Sequence, residues 1–251
     1  MRETKDIMGM PVTIEISDGP ASAASVEKTF DYFRYVDSTF STYKKDSEIS
    51  RINRGELSEE EYSDDMKRIF AIAEKTKRQT NEYFDIKTPE RSVDPSGVVK
   101  GWAINNAAEL LRSLGYKDFY VEAGGDIQTS GKNQDGREWS IGIRNPFKHE
   151  EIVKVVCPHG KGIATSGTAA RGRHIYDPHT RKAVETDVVS LTVIGPNVCE
   201  ADRFATAAFA MGNGAIHFIQ SLEGFEGYAI DKKGMATMTT GFENYTYDQS
   251  D

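Results

Sequence analysis

Residues 93–102, Val-Asp-Pro-Ser-Gly-Val-Val-Lys-Gly-Trp, leave the backbone little choice. Proline fixes its own φ near the helical value and has no N–H to donate, so it suits the first position of a helix. An aspartate just ahead of it accepts from the amides that a helix start leaves unpaired. Asp94 is therefore expected to cap a helix that begins at Pro95, runs through Leu110, Leu111 and Leu114, and stops at Gly115. Before it, Val26, Phe30, Phe33 and Val36 recur at helical spacing up to about Phe40, and a capping box of Ser58 with Glu61 precedes a second helix through Met66, Ile69 and Ala73 to about Gln79. After it, residues 119–122, 127–129, 140–144 and 152–157 read as strands between polar turns, so the middle of the chain is sheet-rich. Residues 12–16, 83–87 and 188–194 read as further strands, 201–211 and 215–222 as helices, and 228–231 with 235–240 as a closing hairpin before a mobile tail from about 241.

With 251 residues, 38% hydrophobic and 28% charged, the chain can bury a sizeable core without staples, and one domain over 1–251 is expected. No apolar run approaches the roughly 20 residues that span a bilayer. The opening Met-Arg-Glu-Thr-Lys-Asp lacks the basic-then-apolar layout of a signal peptide, which favours a cytoplasmic protein over a trimmed mature form. Cys157 and Cys199 have no CxxC spacing and are expected to be reduced and buried. A net charge of -8 argues against nucleic-acid binding. An anionic ligand would need a local device, either a metal ion, a helix N-terminus, or placed cations such as Lys100, Arg171 and Arg173.

Four stretches carry chemistry, and each also has a plain structural use. Residues 162–180, GIATSGTAARGRHIYDPHT, gather hydroxyls, guanidinium groups, His174, Asp177 and His179 among small residues, as a site does more often than a scaffold; a polar surface loop is the alternative. The Asp94 helix start, with Gly97 opening the approach and Lys100 one turn further in, suits an anion, or Lys100 is simply solvated. Glu122-Ala-Gly-Gly-Asp126 sets two carboxylates around a glycine turn, either to meet a flat ring or ribose or to close a hairpin. Asp202 and Thr206 share one helix face and offer hard oxygen ligands suited to Mg²⁺; otherwise Thr206 bonds its own helix and Asp202 caps it or faces water. All four suit a phosphate, a metal or a nucleotide, and together they look like one diphosphate site.

Met8-Gly-Met-Pro, Ser41-Thr-Tyr-Lys-Lys-Asp-Ser-Glu-Ile-Ser, Val93-Asp-Pro-Ser-Gly-Val-Val-Lys-Gly, Glu122-Ala-Gly-Gly-Asp, His174-Ile-Tyr-Asp-Pro-His-Thr and Ala201-Asp-Arg-Phe-Ala-Thr-Ala resemble, in order from about residue 8 to 240, the motifs of the ApbE-type FAD:protein FMN transferases. The resemblance implies an α+β fold of that family's T-fold-related type, with mixed or antiparallel sheets flanked by helices. It also implies Mg²⁺-dependent transfer of FMN from FAD to a threonine or serine hydroxyl of an acceptor flavoprotein, releasing AMP. An Mg²⁺-dependent FAD pyrophosphatase giving FMN and AMP, or a flavin carrier without turnover, are the alternatives. Matched residue by residue, Met8, Tyr43, Phe84, Asp85, Ile86, Asp94, Lys100, Glu122, Gly124, Gly125, Asp126 and Tyr176 fall where the family contacts FAD. The Gly97 carbonyl, Asp202 and Thr206 fall where it ligates the metal, and His174 matches the histidine needed for activity. The sequence departs from the pattern at Gly97, where alanine is usual, at Arg181 in place of a glycine, and after Asp85, where the family continues Pro-Thr.

Overall fold

A computed structural model describes residues 1–19, 22–88, 92–148, 150–168, 176–180 and 182–247. In chain order these form β1 (Arg2–Ile7), β2 (Met10–Ile16), α1 (Ala23–Phe40), α2 (Glu48–Asn53), α3 (Asp64–Gln79), α4 (Ser96–Ser113), β3 (Phe119–Ala123), β4 (Asp126–Ser130), β5 (Ile141–Arg144), β6 (Ile152–Val156) and β7 (Gly162–Gly167). There follow β8 (Tyr176–Asp177), β9 (Lys182–Ala183), β10 (Val188–Gly195), α5 (Val198–Ala210), α6 (Ala215–Gln220), β11 (Glu226–Asp231) and β12 (Ala236–Met238). Eight strands make one sheet in the order β1-β2-β3-β4-β7-β10-β11-β12, with every neighbouring pair antiparallel. The expected α+β class is what forms.

Side-chain alternation along the strands gives the sheet two apolar faces. Ala164, Leu191, Val193 and Ala229 pack with α5 and α6, whereas Ile163, Ile194, Tyr228 and Ile230 pack with Ile141, Ile143 and Val156 of the separate β5–β6 hairpin. A larger core joins β2 and β3 to α1, α3 and α4 through Ile14, Phe30, Phe33, Ile69, Ile104 and Phe119. No helix among the described residues is long and apolar enough to cross a membrane. Both cysteines are buried free thiols, and burial pushes that of Cys199 up to about 12.

Several boundaries differ from the sequence expectation for local reasons. The helix after Asp94 begins at Ser96, with Pro95 in the cap position and Asp94 Oδ1 accepting from Ser96 N at 3.0 Å. The Ser58–Glu61 box closes only a 3-10 turn, because Ser63 supplies α3 with its own cap by accepting from Met66 N. Capped by Asn197, α5 starts at Val198, three residues before the expected Ala201, and Gln128 Oε1 accepts from Val198 N at 2.9 Å. Residues 83–87 are not a strand; Lys87 makes a single bridge to Val93. Residues 241–247, expected to begin a mobile tail, dock instead: Phe242 is fully buried, Cys157 N donates to Tyr245 O at 2.7 Å, and Tyr247 N donates to Val155 O at 3.0 Å.

The largest correction concerns residues 162–167. The sequence suggested too little apolar bulk for a scaffold, yet β7 lies between β4 and β10 near the middle of the sheet. Small residues are required there because α5 presses on the strand. A Cβ at Gly162 would stand 1.9 Å from Val198 N of α5, while at Gly167 the neighbouring strand β10 leaves no room, a Cβ there standing 2.6 Å from Val189 O.

Candidate functional site

The same economy of side chains brings α4 against α5. A Cβ on Gly101 would lie 2.6 Å from Asp202 Cβ and 2.8 Å from Val198 O, so only glycine permits this approach. It places the Asp202 carboxylate against the main chain of α4, where Gly101 N–H donates to Oδ2 at 2.8 Å. Within an α-helix that amide points toward the carbonyl four residues back, which is Gly97. Thr206 lies one turn beyond Asp202, with Cγ2 3.4 Å from the point a Gly97 Cβ would occupy and Oγ1 3.4 Å from Ser166 Oγ. Gly97, Asp202 and Thr206 therefore stand together.

A second carboxylate reaches the spot from the sheet. Gly124 and Gly125, at φ 58 and 93, make the two-residue turn that pairs Ala123 with Asp126, a left-handed pair that glycine adopts without strain. Asp126 follows at the start of β4, fully buried, and its Oδ1 accepts from Thr165 N at 3.0 Å. Its Oδ2 lies 2.6 Å from Lys100 Nζ, which is also 3.7 Å from Asp202 Oδ1. Two buried carboxylates thus share one ammonium. Burial raises the Asp202 pKa well above the usual carboxylate range; Lys100 opposes the rise and Asp126 adds to it.

These groups open onto a cleft of about 1290 Å³. Of the residues expected to contact FAD or metal, Phe84, Asp85, Ile86, Asp94, Gly97, Lys100, Glu122, Gly124, Gly125, Tyr176, Asp202 and Thr206 line it. Three others do not. Asp126 lies buried beneath the wall, and Met8 sits at φ 58 in the β1–β2 turn, packed against the core. Tyr43 is 97% exposed outside the cleft. His174, with Arg171, Arg173 and Arg181, lies outside the described residues.

Hydrogen bonds and an ion pair supplement the packing of Phe84 in one lip of the cleft. The Tyr176 hydroxyl faces Asp85 O at 2.9 Å and Lys87 O at 2.6 Å, Lys77 pairs with Asp85 at 2.8 Å, and Asp94 N donates to Ile86 O at 2.8 Å. The Phe84 ring turns inward, 4% exposed, with Cε2 3.0 Å from where a Gly97 Cβ would stand. Asp177 and His179 take structural roles: Asp177 Oδ1 accepts from His179 N at 2.9 Å, and His179 Nε2 lies 2.9 Å from Asn81 O. Tyr120, Trp139, Ile143 and Arg144 line the far end of the cleft. Nothing local singles them out, because in sequence they are ordinary strand and turn residues.

The donor set matches a hard cation. Among the described residues no three His, Cys, Asp or Glu side chains converge as a metal cluster. What converges is one carboxylate, one hydroxyl and one main-chain carbonyl, all oxygen, with a buried excess of negative charge. Mg²⁺ suits such a partial shell because it keeps waters and completes its coordination with phosphate oxygens.

The chain is similar to known proteins in both sequence and fold. The model of the ApbE family matches residues 8–90 and 86–229. An FAD:protein FMN transferase of Escherichia coli K12 is 32% identical over 162 residues, 61% of this chain and 46% of that protein, so the chain spans about half the length of that curated relative. One from Haemophilus influenzae is 26% identical over 284 residues, covering 84% of this chain and 82% of the relative. The solved flavin transferase ApbE from Vibrio cholerae superposes with a TM-score of 0.86 at 23% identity, over 98% of both chains, which establishes the shared fold.

Proposed function

The chain belongs to the ApbE family, and from that premise we propose that it transfers FMN from FAD to a threonine or serine hydroxyl of an acceptor protein, with Mg²⁺ as cofactor and AMP as the leaving product. The observation that carries this reading is the meeting of Asp202, Thr206 and Gly97 with Lys100 at one wall of a cleft large enough for a dinucleotide. Flavin storage needs neither a buried carboxylate beside an ammonium nor hard ligands one helical turn apart.

In this reading the FAD diphosphate lies at the start of α4. Its charge is met by the positive end of the α4 dipole and by Lys100. Asp202, Thr206 and the Gly97 carbonyl would hold Mg²⁺, which when bound draws charge from the diphosphate oxygens. Tyr176 keeps residues 85–87 against the substrate by bonding their carbonyls, and the Gly124–Gly125 turn lets main chain approach it closely. His174 takes the proton from the acceptor hydroxyl. The freed oxygen attacks the FMN-side phosphorus, the P–O bond to AMP breaks, and AMP leaves with the bridging oxygen.

The test is to incubate the protein with FAD, Mg²⁺ and candidate acceptor proteins, following AMP by chromatography and covalent flavin by in-gel fluorescence. AMP together with labelled acceptor supports transfer. AMP alone would make the protein a pyrophosphatase, and the absence of AMP would make it a carrier.

A further inference from the structure

We propose that Lys100 is the resident counter-ion of the Asp126/Asp202 pair, and that Asp126 is a positioning residue which holds this ammonium aside so that Asp202 can take a divalent cation. The proposal rests on the reading of Gly97, Asp202 and Thr206 as a cation site. Its basis is the asymmetry of the pair: Lys100 Nζ is 2.6 Å from Asp126 Oδ2 but 3.7 Å from Asp202 Oδ1. Neither carboxylate is free to follow the lysine. Thr165 N–H fixes Asp126 through Oδ1, just beyond the last paired residues of the β4–β7 ladder, Ile127 and Ile163. Gly101 N–H fixes Asp202 through Oδ2, which leaves Oδ1 as the oxygen turned toward Lys100.

The electrostatic consequence has a definite sign. An ammonium this near Asp202 Oδ1, with both carboxylates buried and little water to screen it, opposes any cation placed there. Asp126 limits that opposition by binding the ammonium more closely than Asp202 does. Removing the lysine should therefore tighten divalent-cation binding, and removing the charge of Asp126 should weaken it by sending Lys100 to Asp202. Asn at 126 is the informative replacement, since its carbonyl oxygen can still accept from Thr165 N–H while it no longer attracts the ammonium.

The experiment titrates Mn²⁺ alone, without nucleotide, into the whole protein and reads free Mn²⁺ by electron paramagnetic resonance. Lys100→Met should bind Mn²⁺ at least about tenfold more tightly than the parent. Asp126→Asn should bind it more weakly by a similar factor, and Lys100→Met added to Asp126→Asn should recover the loss. Damage to the fold can weaken a site but does not tighten one, so the gain in Lys100→Met establishes the counter-ion role, and recovery in the double variant separates positioning by Asp126 from a structural role. If the parent binds Mn²⁺ and Lys100→Met binds it equally or less well, the counter-ion role is wrong while the cation site stands. If neither protein binds Mn²⁺, both readings fall.

Discussion

Where α4 meets α5, a single added carbon at Gly101 would lie 2.6 Å from Asp202 Cβ, with no flexible side-chain end there to yield. On the neighbouring lip, Tyr176 and Asp85 are half-buried and hold the cleft through hydrogen bonds and an ion pair that solvent can replace. One wall of the site is set by steric contact and buried charge, the other by exchangeable polar bonds. A close-packed wall fixes ligand atoms to fractions of an ångström but tolerates no change, whereas a polar lip adjusts at small cost. The proposed chemistry divides the same way, with cation and diphosphate on the rigid wall and the flavin end near the adjustable one.

Four substitutions bracket that contrast. Gly101→Ala should be the most damaging: overpacking costs about 1–3 kcal/mol, and displacement of Asp202 should abolish AMP release, read by thermal melts and turnover together. Asp202→Asn comes next, with turnover falling about 100-fold or more while stability of the metal-free protein does not fall. The sign follows from the raised pKa. The folded state holds the Asp202 proton more tightly than the unfolded chain, so ionisation costs stability above the usual carboxylate range. The melting-temperature advantage of Asp202→Asn over the parent should therefore grow from about pH 5 to about pH 8. An advantage that shrinks with rising pH would show that Asp202 is stabilised as the anion even without metal.

Tyr176→Phe tests the lip. Losing the hydroxyl that faces Asp85 O and Lys87 O should cost about 1 kcal/mol. The change should appear as a raised KM for FAD with kcat nearly kept. Gly97→Ala should have the smallest effect, although it lies on the same helix as Gly101, one turn away. Its Cβ would meet the Phe84 ring at 3.0 Å, and a ring can move by a few tenths of an ångström where main chain cannot. A change in stability within about 0.5 kcal/mol is expected; a loss as large as that of Gly101→Ala would put Gly97 on the rigid wall.

What could be read from sequence was whatever a short window encodes. The helix start at Asp94–Pro95, the glycine turn at 124–125 and the shared helix face of Asp202 and Thr206 depend on neighbours within a few residues, and each forms, the helix start one residue later than expected. Missed elements lack such a signal. β1 is a charged edge strand, and β7 is made of small residues whose reason lies in α5 rather than in β7 itself. Asp126 shows the limit most plainly. The motif around it suggested a ligand contact, but the structure buries it beneath the wall as the partner of Lys100.

The sequence by itself therefore determined those elements that carry a local signal, such as the helix stripe through Phe30 and Phe33 and the glycine turn at 124–125, and the residue types available to a diphosphate site. Only the tertiary structure decided which charges meet, because an ion pair depends on distances between residues far apart in the chain, such as Lys100 in α4 and Asp202 in α5. Periodicity and capping report energies local to the backbone. The proximity of Lys100 to two buried carboxylates is a product of packing, and it arises only once glycine lets α4 close on α5 and the turn at 124–125 delivers Asp126 beneath them.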